Sequence, residues 1–261
     1  MQARHFDREQ YFNEQSYTTF KYVIPFISEL IPINSETKVV EIGCGEGGNL
    51  KPFLDMGCKV VGIDLSTWKI SEGEKLFKNH PLKQNLTLIP KDIYDITESP
   101  ELKFDLIVMR DTLEHIPNQE KFMEHLKLFL NPNGKVFFAF PPWRMPFGGH
   151  QQMCKNRFLS KLPYFHILPK HVYTFVLKLF GESQGTIDEL NNIKETQISM
   201  QKFYRIVKHL NYEIEKQTSY LINPNYEIKF NLKTRKLPVI LNIPYVRDFF
   251  ITTFYSIVSL K

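Results

Sequence analysis

This 261-residue sequence has few cysteines, no long apolar run and no hydrophobic N-terminus. Its three cysteines, Cys44, Cys58 and Cys154, are odd in number and far apart, which excludes a disulfide framework and indicates reduced thiols. No apolar run reaches the roughly 18 residues that a membrane span requires. The first ten residues, MQARHFDREQ, lack the apolar segment of a secretory signal peptide. We therefore expect a cytoplasmic protein, either free or peripheral at the inner membrane face.

Acidic residues are absent from one long stretch, between Glu124 and Glu182. Residues 1–142 carry 16 Lys and Arg against 20 Asp and Glu, whereas residues 143–261 carry 17 against 8. The net charge is thus −4 in the first part and +9 in the second, which predicts two regions with different electrostatic roles. The hydrophobic fraction of 43% is sufficient for a large core and excludes a disordered or collagen-like chain.

The first half alternates between short apolar runs and amphipathic segments. Runs rich in β-branched residues predict strands at residues 38–42, 59–63, 86–89, 104–109 and 135–140. Apolar residues at helical spacing predict helices at residues 49–56, 68–79 and 119–130, the last followed by a turn at 131–134. This alternation predicts a doubly wound α/β fold around a mostly parallel sheet.

The second half is less regular. Residues 196–210 have a helical pattern, and residues 212–221 and 249–260 resemble strands separated by a basic, proline-containing excursion. Residues 9–30 are helical in pattern with a break expected at Pro25. We predict an N-terminal helical lid (1–36), a ligand-binding core (37–142), an inserted helical cap (143–195) and a C-terminal helix with antiparallel strands that complete the sheet (196–261).

A glycine-rich turn, EIGCGEGG at residues 41–48, lies where the first strand meets a helix. Glycines there let a backbone approach a ligand closely, and the free N–H groups of a helix start can bind it. Gly43, Gly45 and Gly48 satisfy G-x-G-x-x-G, the dinucleotide fingerprint. By itself this spacing fits an NAD site, another nucleotide site or a tight structural turn.

Three acidic residues separate these alternatives. Glu41, at the end of the first strand, would repel a pyrophosphate and attract an ammonium group. Asp64 follows the second strand, where it can accept hydrogen bonds from ribose hydroxyls, and Asp92 follows the third, where it can accept from an adenine amine. One carboxylate placed for an ammonium group, one for a ribose and one for an adenine together favour S-adenosylmethionine over NAD.

Five segments, VVEIGCGEGGNL, VVGIDLS, KDI, FDLIVMRDTLEHI and LNPNGKVFFAF, resemble in order and spacing the successive motifs of class I S-adenosylmethionine-dependent methyltransferases. The sequence is similar to the type 11 small-molecule methyltransferases and, more distantly, to ubiquinone-pathway O-methyltransferases. The resemblance covers residues 37–140 and implies a Rossmann-like sheet of seven strands. It also implies a set of cofactor contacts: Glu41, Gly43, Gly45, Gly47 and Asn49 near the methionine moiety, Asp64 and Leu65 at the ribose and adenine, Asp92 and Ile93 at the adenine, and Arg110 and Asp111 at the rim.

The loop after the fifth strand, PPWRMPFGGHQQ at residues 141–152, is the candidate acceptor site. Its His150 titrates near neutrality and is our candidate general base, although it fits a loop-stabilising role equally well. His115 is the rival, with a role in shaping the cofactor pocket. His150 and Cys154 have helical spacing, but without further ligands nearby we predict no metal. Four residues are candidate acceptor contacts: Tyr17, Trp143, Arg144 and Phe147.

Cations and apolar residues interleave at residues 155–180. This pattern fits a solvated face with an apolar underside, or a surface for a lipid-linked acceptor at an anionic membrane. We do not expect nucleic acid as a partner, because no RNA-binding module is recognisable. The predicted function is O-methylation of a small-molecule, lipid-linked or glycan-linked acceptor. The alternatives are C- or N-methylation, RNA methylation and cofactor binding without catalysis.

Overall fold

The apolar runs of the first half form adjacent strands in a computed structural model of the protein, which describes residues 7–97 and 100–261. Their β-branched and aromatic side chains are buried, as expected when helices cover both faces of a sheet. Within the described ranges the strands are β1 (Lys38–Ile42), β2 (Lys59–Ile63), β3 (Leu86–Ile89), β4 (Phe104–Arg110), β5 (Leu130–Phe140), β6 (Tyr212–Ile222), β7 (Arg235–Lys236) and β8 (Thr253–Leu260).

All of these strands belong to one sheet with the spatial order β3-β2-β1-β4-β5-β8-β6-β7. The first five are mutually parallel, and β8 lies antiparallel between β5 and β6. Val40 of β1 faces Val61 of β2 on one side and Ile107 of β4 on the other. This register brings the carboxyl ends of β1 to β4 to a common edge of the sheet. The predicted doubly wound α/β class is confirmed.

Two details of the predicted sheet are wrong. The described sheet has eight strands instead of seven, because the two-residue strand β7 in the basic excursion pairs with the end of β6. Residues 131–134 are a bulge inside β5 instead of a turn before it, since the pairing with β4 shifts there and Asn133 has φ +65°.

Helices cover both faces of the sheet. In the described ranges they are α1 (Arg8–Thr18), α2 (Ile24–Ser28), α3 (Lys51–Asp55), α4 (Thr67–Leu76), α5 (Gln119–Leu126), α6 (Lys170–Leu179), α7 (Gln184–Thr196), α8 (Met200–His209) and α9 (Asn225–Phe230). The break expected at Pro25 does not occur: a π-helical turn at Thr19–Val23 joins α1 to α2, and Pro25 lies in the first turn of α2, where a missing N–H is tolerated.

Aromatic rings fill the core on each face of the sheet. On the face covered by α1 and α3, the ring centroids of Phe137 and Tyr255 are 5.1 Å apart. On the face covered by α5 and α8, those of Phe138 and Phe203 are 5.3 Å apart. Edge-to-face pairs of this kind add about 0.5–1.5 kcal/mol each to the stabilisation from burial. The sheet that carries the candidate site is therefore stabilised by packing on both of its faces.

The segment between β5 and α8 forms a cap with an apolar core of its own, centred on α6 and α7. Lys194 of α7 is buried, and its Nζ donates to the carbonyls of His166 and Leu168 at 2.6 and 2.7 Å. These bonds fix the loop before α6 against α7. The boundaries predicted for the lid, core and cap remain predictions, and residues 1–6 of the lid lie outside the described residues.

All three cysteines are free and buried. No helix in the described ranges combines the length and the apolar character needed to cross a bilayer.

Candidate active site

An open cleft of about 750 Å³ lies at the carboxyl ends of β1 to β4. This is the edge at which open α/β sheets bind their ligands, because the loops after the strands diverge there. The structure brings together in the cleft lining most of the cofactor residues predicted from the sequence: Gly43, Gly45, Asp64, Leu65, Asp92, Ile93, Arg110 and Asp111.

The glycine turn after β1 forms one wall of this cleft. Gly43 has φ +75°, and a Cβ atom there would lie 2.5 Å from Cγ2 of Thr112, so a larger residue would clash. The backbone N–H groups of Gly43 and Cys44 both donate to the carbonyl of Ile63, at 2.7 and 3.1 Å. These bonds tie the turn to the end of β2 and leave the remaining backbone of the turn beside the cleft.

Asp64, directly after β2, holds the same turn through its side chain. Its Oδ2 accepts from the N–H of Gly45 at 2.8 Å, and its Oδ1 accepts from the N–H of Ser66 at 2.8 Å. Each carboxylate oxygen has a second lone pair, so these bonds leave capacity for ribose hydroxyls. Asp64 therefore supports the glycine turn in addition to the contact predicted for it.

Glu41 lies beneath the turn and is connected to Arg110 through Asn49. Nδ2 of Asn49 donates to Oε1 of Glu41 at 2.6 Å, and Oδ1 of Asn49 accepts from Arg110 at 2.6 Å. Arg110 also donates to Oγ1 of Thr19 at 3.1 Å, which links this network to the N-terminal helices. Glu41, Asn49 and Arg110 are all buried. Because Arg110 lines the cleft, its charge is positioned at the cleft wall.

The second oxygen of Glu41, Oε2, is buried and has no hydrogen-bond partner among the described residues. Burial raises the pKa of Glu41 to about 8, although the hydrogen bond from Asn49 and the charge of Arg110 oppose this shift. An unsatisfied buried carboxylate oxygen is costly. A cationic ligand group beside Oε2 would favour the ionised carboxylate and so oppose this shift, which is the role predicted for Glu41 from the sequence.

The opposite wall of the cleft follows β2 and β3. Leu65 is 72% exposed there, which is unusual for a leucine, whereas Ile93 is buried. Asp92 caps the short 3-10 turn Ile93–Asp95, with its Oδ1 accepting from the N–H of Tyr94 at 3.0 Å. Apolar side chains beside one carboxylate suit a planar group that carries an amine, such as adenine.

The predicted acceptor contacts lie outside the cleft lining. The hydroxyl of Tyr17 donates to Glu227 of α9 at 3.1 Å. Trp143 is buried, with its ring centroid 4.6 Å from that of His166, and Arg144 lies over the ring of Phe249. These side chains hold the cap and the C-terminal segment against the rest of the protein.

Phe147 and Gly47 are also outside the lining. Phe147 is half-buried in the loop after β5, and its carbonyl accepts from the N–H of His150 at 3.0 Å. Gly47 is packed under the ring of Phe77, which would lie 3.1 Å from an added Cβ. It supports the turn from behind.

His150 lies next to the cleft and against His115, which lines it. The two imidazole centroids are 4.9 Å apart with planes at 72°. Burial lowers the pKa of His150 to about 3, and it also lowers the pKa of His115. His150 is thus neutral at pH 7, and a base this weak removes a proton from a hydroxyl poorly.

Among the lining residues that were not predicted from the sequence are the three that α1 contributes, Arg8, Tyr11 and Gln15. They lie on one face of α1, at spacings of three and four residues, whereas Tyr17 lies on another. If the helical period is applied to residues 9–30, Tyr11 and Tyr17 fall on different faces of the helix, so this distinction could have been made from the sequence. Gly48 allows α1 to lie this close, since an added Cβ would be 2.7 Å from the carbonyl of Phe12.

A model of the methyltransferase domain family matches residues 12–167, more than half of the chain. The chain belongs to this family. The sequence-based assignment to the class I S-adenosylmethionine-dependent methyltransferases, made from the motifs at residues 37–140, is thereby confirmed. The matched part of this methyltransferase begins in α1 and ends in the cap, so it contains the complete cleft edge of the sheet.

Two curated relatives match the methyltransferase over about half of their own length. An uncharacterized protein of Rickettsia prowazekii is 35% identical over 142 residues, which are 49% of this chain and 56% of the relative. A ubiquinone biosynthesis O-methyltransferase of Coxiella burnetii is 28% identical over 118 residues, which are 44% of this chain and 48% of the relative.

Among solved structures, PKMT2 of Rickettsia typhi in complex with AdoHcy has a TM-score of 0.54 and 21% identity to the methyltransferase. The superposition covers 95% of this chain and 54% of that one. At this identity the likeness establishes the shared fold.

Proposed function

We propose that the cleft binds S-adenosylmethionine and that the protein transfers its methyl group to an oxygen atom of a small-molecule, lipid-linked or glycan-linked acceptor. The observation that carries the proposal is the set of three carboxylates at the ends of β1, β2 and β3. Asp64 and Asp92 line one cleft, and Glu41 lies buried behind its glycine wall with an oxygen that lacks a partner among the described residues.

These residues fit the cofactor group by group. Glu41 would hold the ammonium, Asp64 the ribose hydroxyls and Asp92 the adenine amine, with Leu65 and Ile93 beside the ring. The carboxylates of Asp64 and Asp92 at the cleft also suit a ligand with a net positive charge, and the ammonium group would favour the ionised form of Glu41. An NAD pyrophosphate would meet these charges unfavourably.

When bound, the cofactor supplies a methyl group already activated on a sulfonium, so the protein must mainly align the acceptor and exclude water. Alignment of this kind can supply about 7–11 kcal/mol of the barrier. Tyr11 and Gln15 of α1 cover one side of the cleft, and Arg110 anchors that helix through Thr19 and through the carbonyl of Gln15 at 3.4 Å. We assign to α1 the role of lid over the cofactor.

Oxygen is the proposed methyl acceptor because of the similarity to ubiquinone biosynthesis O-methyltransferases and because two imidazoles lie beside the cleft. His115 faces the cleft, and His150 packs behind it. His115 would therefore be the imidazole that meets the acceptor, with His150, the base predicted from the sequence, packed against it.

The cap offers a surface suited to a lipid-linked acceptor. Phe175 and Leu179, on the outer face of α6, are 64% and 69% exposed, and Phe158 stacks on Phe180 nearby with ring centroids 6.1 Å apart. Exposed Lys178 lies within this apolar patch. Apolar side chains beside cations favour an anionic membrane interface, so we propose peripheral contact there.

The test is mass spectrometry of metabolites and lipids incubated with the protein and S-adenosylmethionine, with a search for products heavier by one methyl substitution. We expect such a product in the lipid or small-molecule fraction, and its loss with Asp92→Ala. Methylated RNA in a parallel incubation would favour the alternative acceptor. Cofactor binding without any methylated product would indicate a protein that binds but does not catalyse.

A further inference from the structure

Three metal-ligating side chains converge beside the cleft. Glu114 and His115 lie in the 3-10 turn Leu113–His115 that follows β4, and His150 comes from the loop after β5. One ligand atom from each lies within 4.8 Å of the other two. The sequence analysis paired His150 with Cys154 and predicted no metal; the fold instead brings His150 to residues that are 35 positions or more away in the chain.

Glu114 provides an independent indication that a cation belongs here. Its side chain is only 5% exposed, and Oε2 has no hydrogen-bond partner among the described residues. The nearest cationic candidate, Nε2 of His115, is 4.0 Å from Oε1, too far for a hydrogen bond. A buried carboxylate with an unsatisfied oxygen is costly unless it is protonated or coordinates a metal.

The two imidazoles have nitrogen atoms available to an ion. Among the described residues, neither ring has a hydrogen-bond partner, whereas one hydrogen bond joins Nε2 of the buried His166 to the carbonyl of Trp143 at 2.7 Å. His150 has φ +55°, a left-handed conformation that costs energy in a non-glycine residue and occurs often at functional sites.

The charges around the cluster also favour a cation. Burial raises the pKa of Glu114 and lowers that of His115, and among the nearby charges the carboxylate of Asp111 has the largest effect on both groups. Asp111 itself lines the cleft and has φ +53°. A further carboxylate therefore lies near the cluster at the cleft wall.

We infer that Glu114, His115 and His150 bind a divalent transition-metal ion beside the methyl-transfer cleft. Two imidazoles and one carboxylate form the donor set that suits zinc, iron and related ions, whereas magnesium and calcium prefer oxygen ligands. Bond lengths of about 2.0–2.2 Å require the ligand atoms to close around the ion. The side chain of His115 is 44% exposed and can make this adjustment.

This inference rests on the proposed function and deepens it. Three protein ligands leave coordination positions open. Because His115 lines the cleft, an ion bound to it would lie beside the cleft. A hydroxyl bound at an open position would lose its proton to solvent more readily. Its oxygen would then form the new C–O bond as the C–S bond of the sulfonium breaks, releasing the thioether. The ion would thus supply the activation for which neutral His150 is poorly suited.

The test uses the 261-residue chain without a tag, freed of metal by chelator and titrated with zinc chloride in a calorimeter. We expect one zinc ion per chain. Glu114→Gln, His115→Ala and His150→Ala should each weaken binding roughly 10-fold or more, the loss typical even for residues that only support a metal site. His171→Ala, which removes an exposed histidine of α6, is the matched control and should bind zinc as the original chain does.

Zinc should also raise the melting temperature of the original chain and of His171→Ala more than that of the three ligand variants. His115→Ala changes an exposed side chain, so it keeps the test valid if Glu114→Gln fails to fold. Absence of zinc binding, or binding that all three ligand variants retain, would overturn the inference. S-adenosylhomocysteine titrated into the metal-free protein separates the two proposals: if it binds while zinc does not, only the metal site fails.

Discussion

Nδ2 of Asn49 donates to Oε1 of Glu41 at 2.6 Å, while the oxygen of the same carboxamide accepts from Arg110. A buried amide therefore lies between a buried acid and a buried base, where direct contact would neutralise both charges. Because Asn49 keeps them apart, Oε2 of Glu41 stays without a partner among the described residues and Arg110 remains at the cleft wall. The sequence analysis assigned Asn49 a direct cofactor contact, whereas the structure gives it the role of positioning two other residues.

Removal of this amide should weaken cofactor binding. In Asn49→Ala, Arg110 loses a charge-assisted hydrogen bond worth about 1.5–3 kcal/mol, and Glu41 loses the hydrogen bond that favours its ionised form. We expect the dissociation constant of S-adenosylhomocysteine to rise roughly 10-fold or more, as measured by calorimetry. Asn191→Ala removes a half-buried amide that bonds Thr174 in the cap, and it should leave this affinity unchanged. Equal affinities in the two variants would contradict the positioning role.

Stability should depend on pH through Glu41. Its pKa is raised from 4.5 to about 8, so between these values the folded chain holds a proton that the unfolded chain has released. The free energy of unfolding must then fall as pH rises through this window. Glu41→Gln carries no titrating proton and should lose this part of the pH dependence. Urea denaturation of both proteins between pH 4.5 and about 8 measures the free energy of unfolding at each pH. If this free energy changes with pH equally in the two proteins, the raised pKa of Glu41 is wrong.

The two tyrosines of α1 should differ in their effect on the cofactor. Tyr11 lines the cleft, whereas the hydroxyl of Tyr17 bonds Glu227 outside it. We expect Tyr11→Ala to raise the dissociation constant of S-adenosylhomocysteine several-fold, because an aromatic wall is lost. Tyr17→Ala, the matched control, should lower the melting temperature without this change in affinity. The reverse pattern would restore the sequence-based assignment of Tyr17.

Gly43 should tolerate no side chain. Its φ of +75° and the 2.5 Å approach of an added Cβ to Thr112 combine strain with a clash. Gly43→Ala should destabilise the fold by about 1–3 kcal/mol in urea unfolding. A second change, Thr112→Ala, should recover the part that is due to the clash. Gly185→Ala, in α7 with open space around it, should be neutral or stabilising, and a similar loss there would contradict the local explanation.

Much of the cleft could be predicted from the sequence, because its residues lie next to strand ends that the apolar runs mark. Gly43, Asp64 and Asp92 each follow a predicted strand by a few residues, and parallel strands bring their carboxyl ends together. Position along the chain thus determined position in space for these residues.

The acceptor side could not be predicted in this way. Trp143 follows β5 by three residues, as Asp92 follows β3, but Trp143 and the adjacent Arg144 pack against His166 and Phe249 instead of the cleft. Irregular loops have no periodicity from which a direction can be inferred. The meeting of His115 with His150 likewise depends on the path of the cap, which only tertiary packing determines.

Calorimetric titration of S-adenosylhomocysteine into the original chain and into Glu41→Gln tests the central claim most directly. We predict one binding site per chain and clearly weaker binding in Glu41→Gln, because the carboxyl group can ionise beside the ammonium of the ligand whereas the amide cannot. Equal binding by both proteins, or binding of NADH in place of S-adenosylhomocysteine, would contradict it.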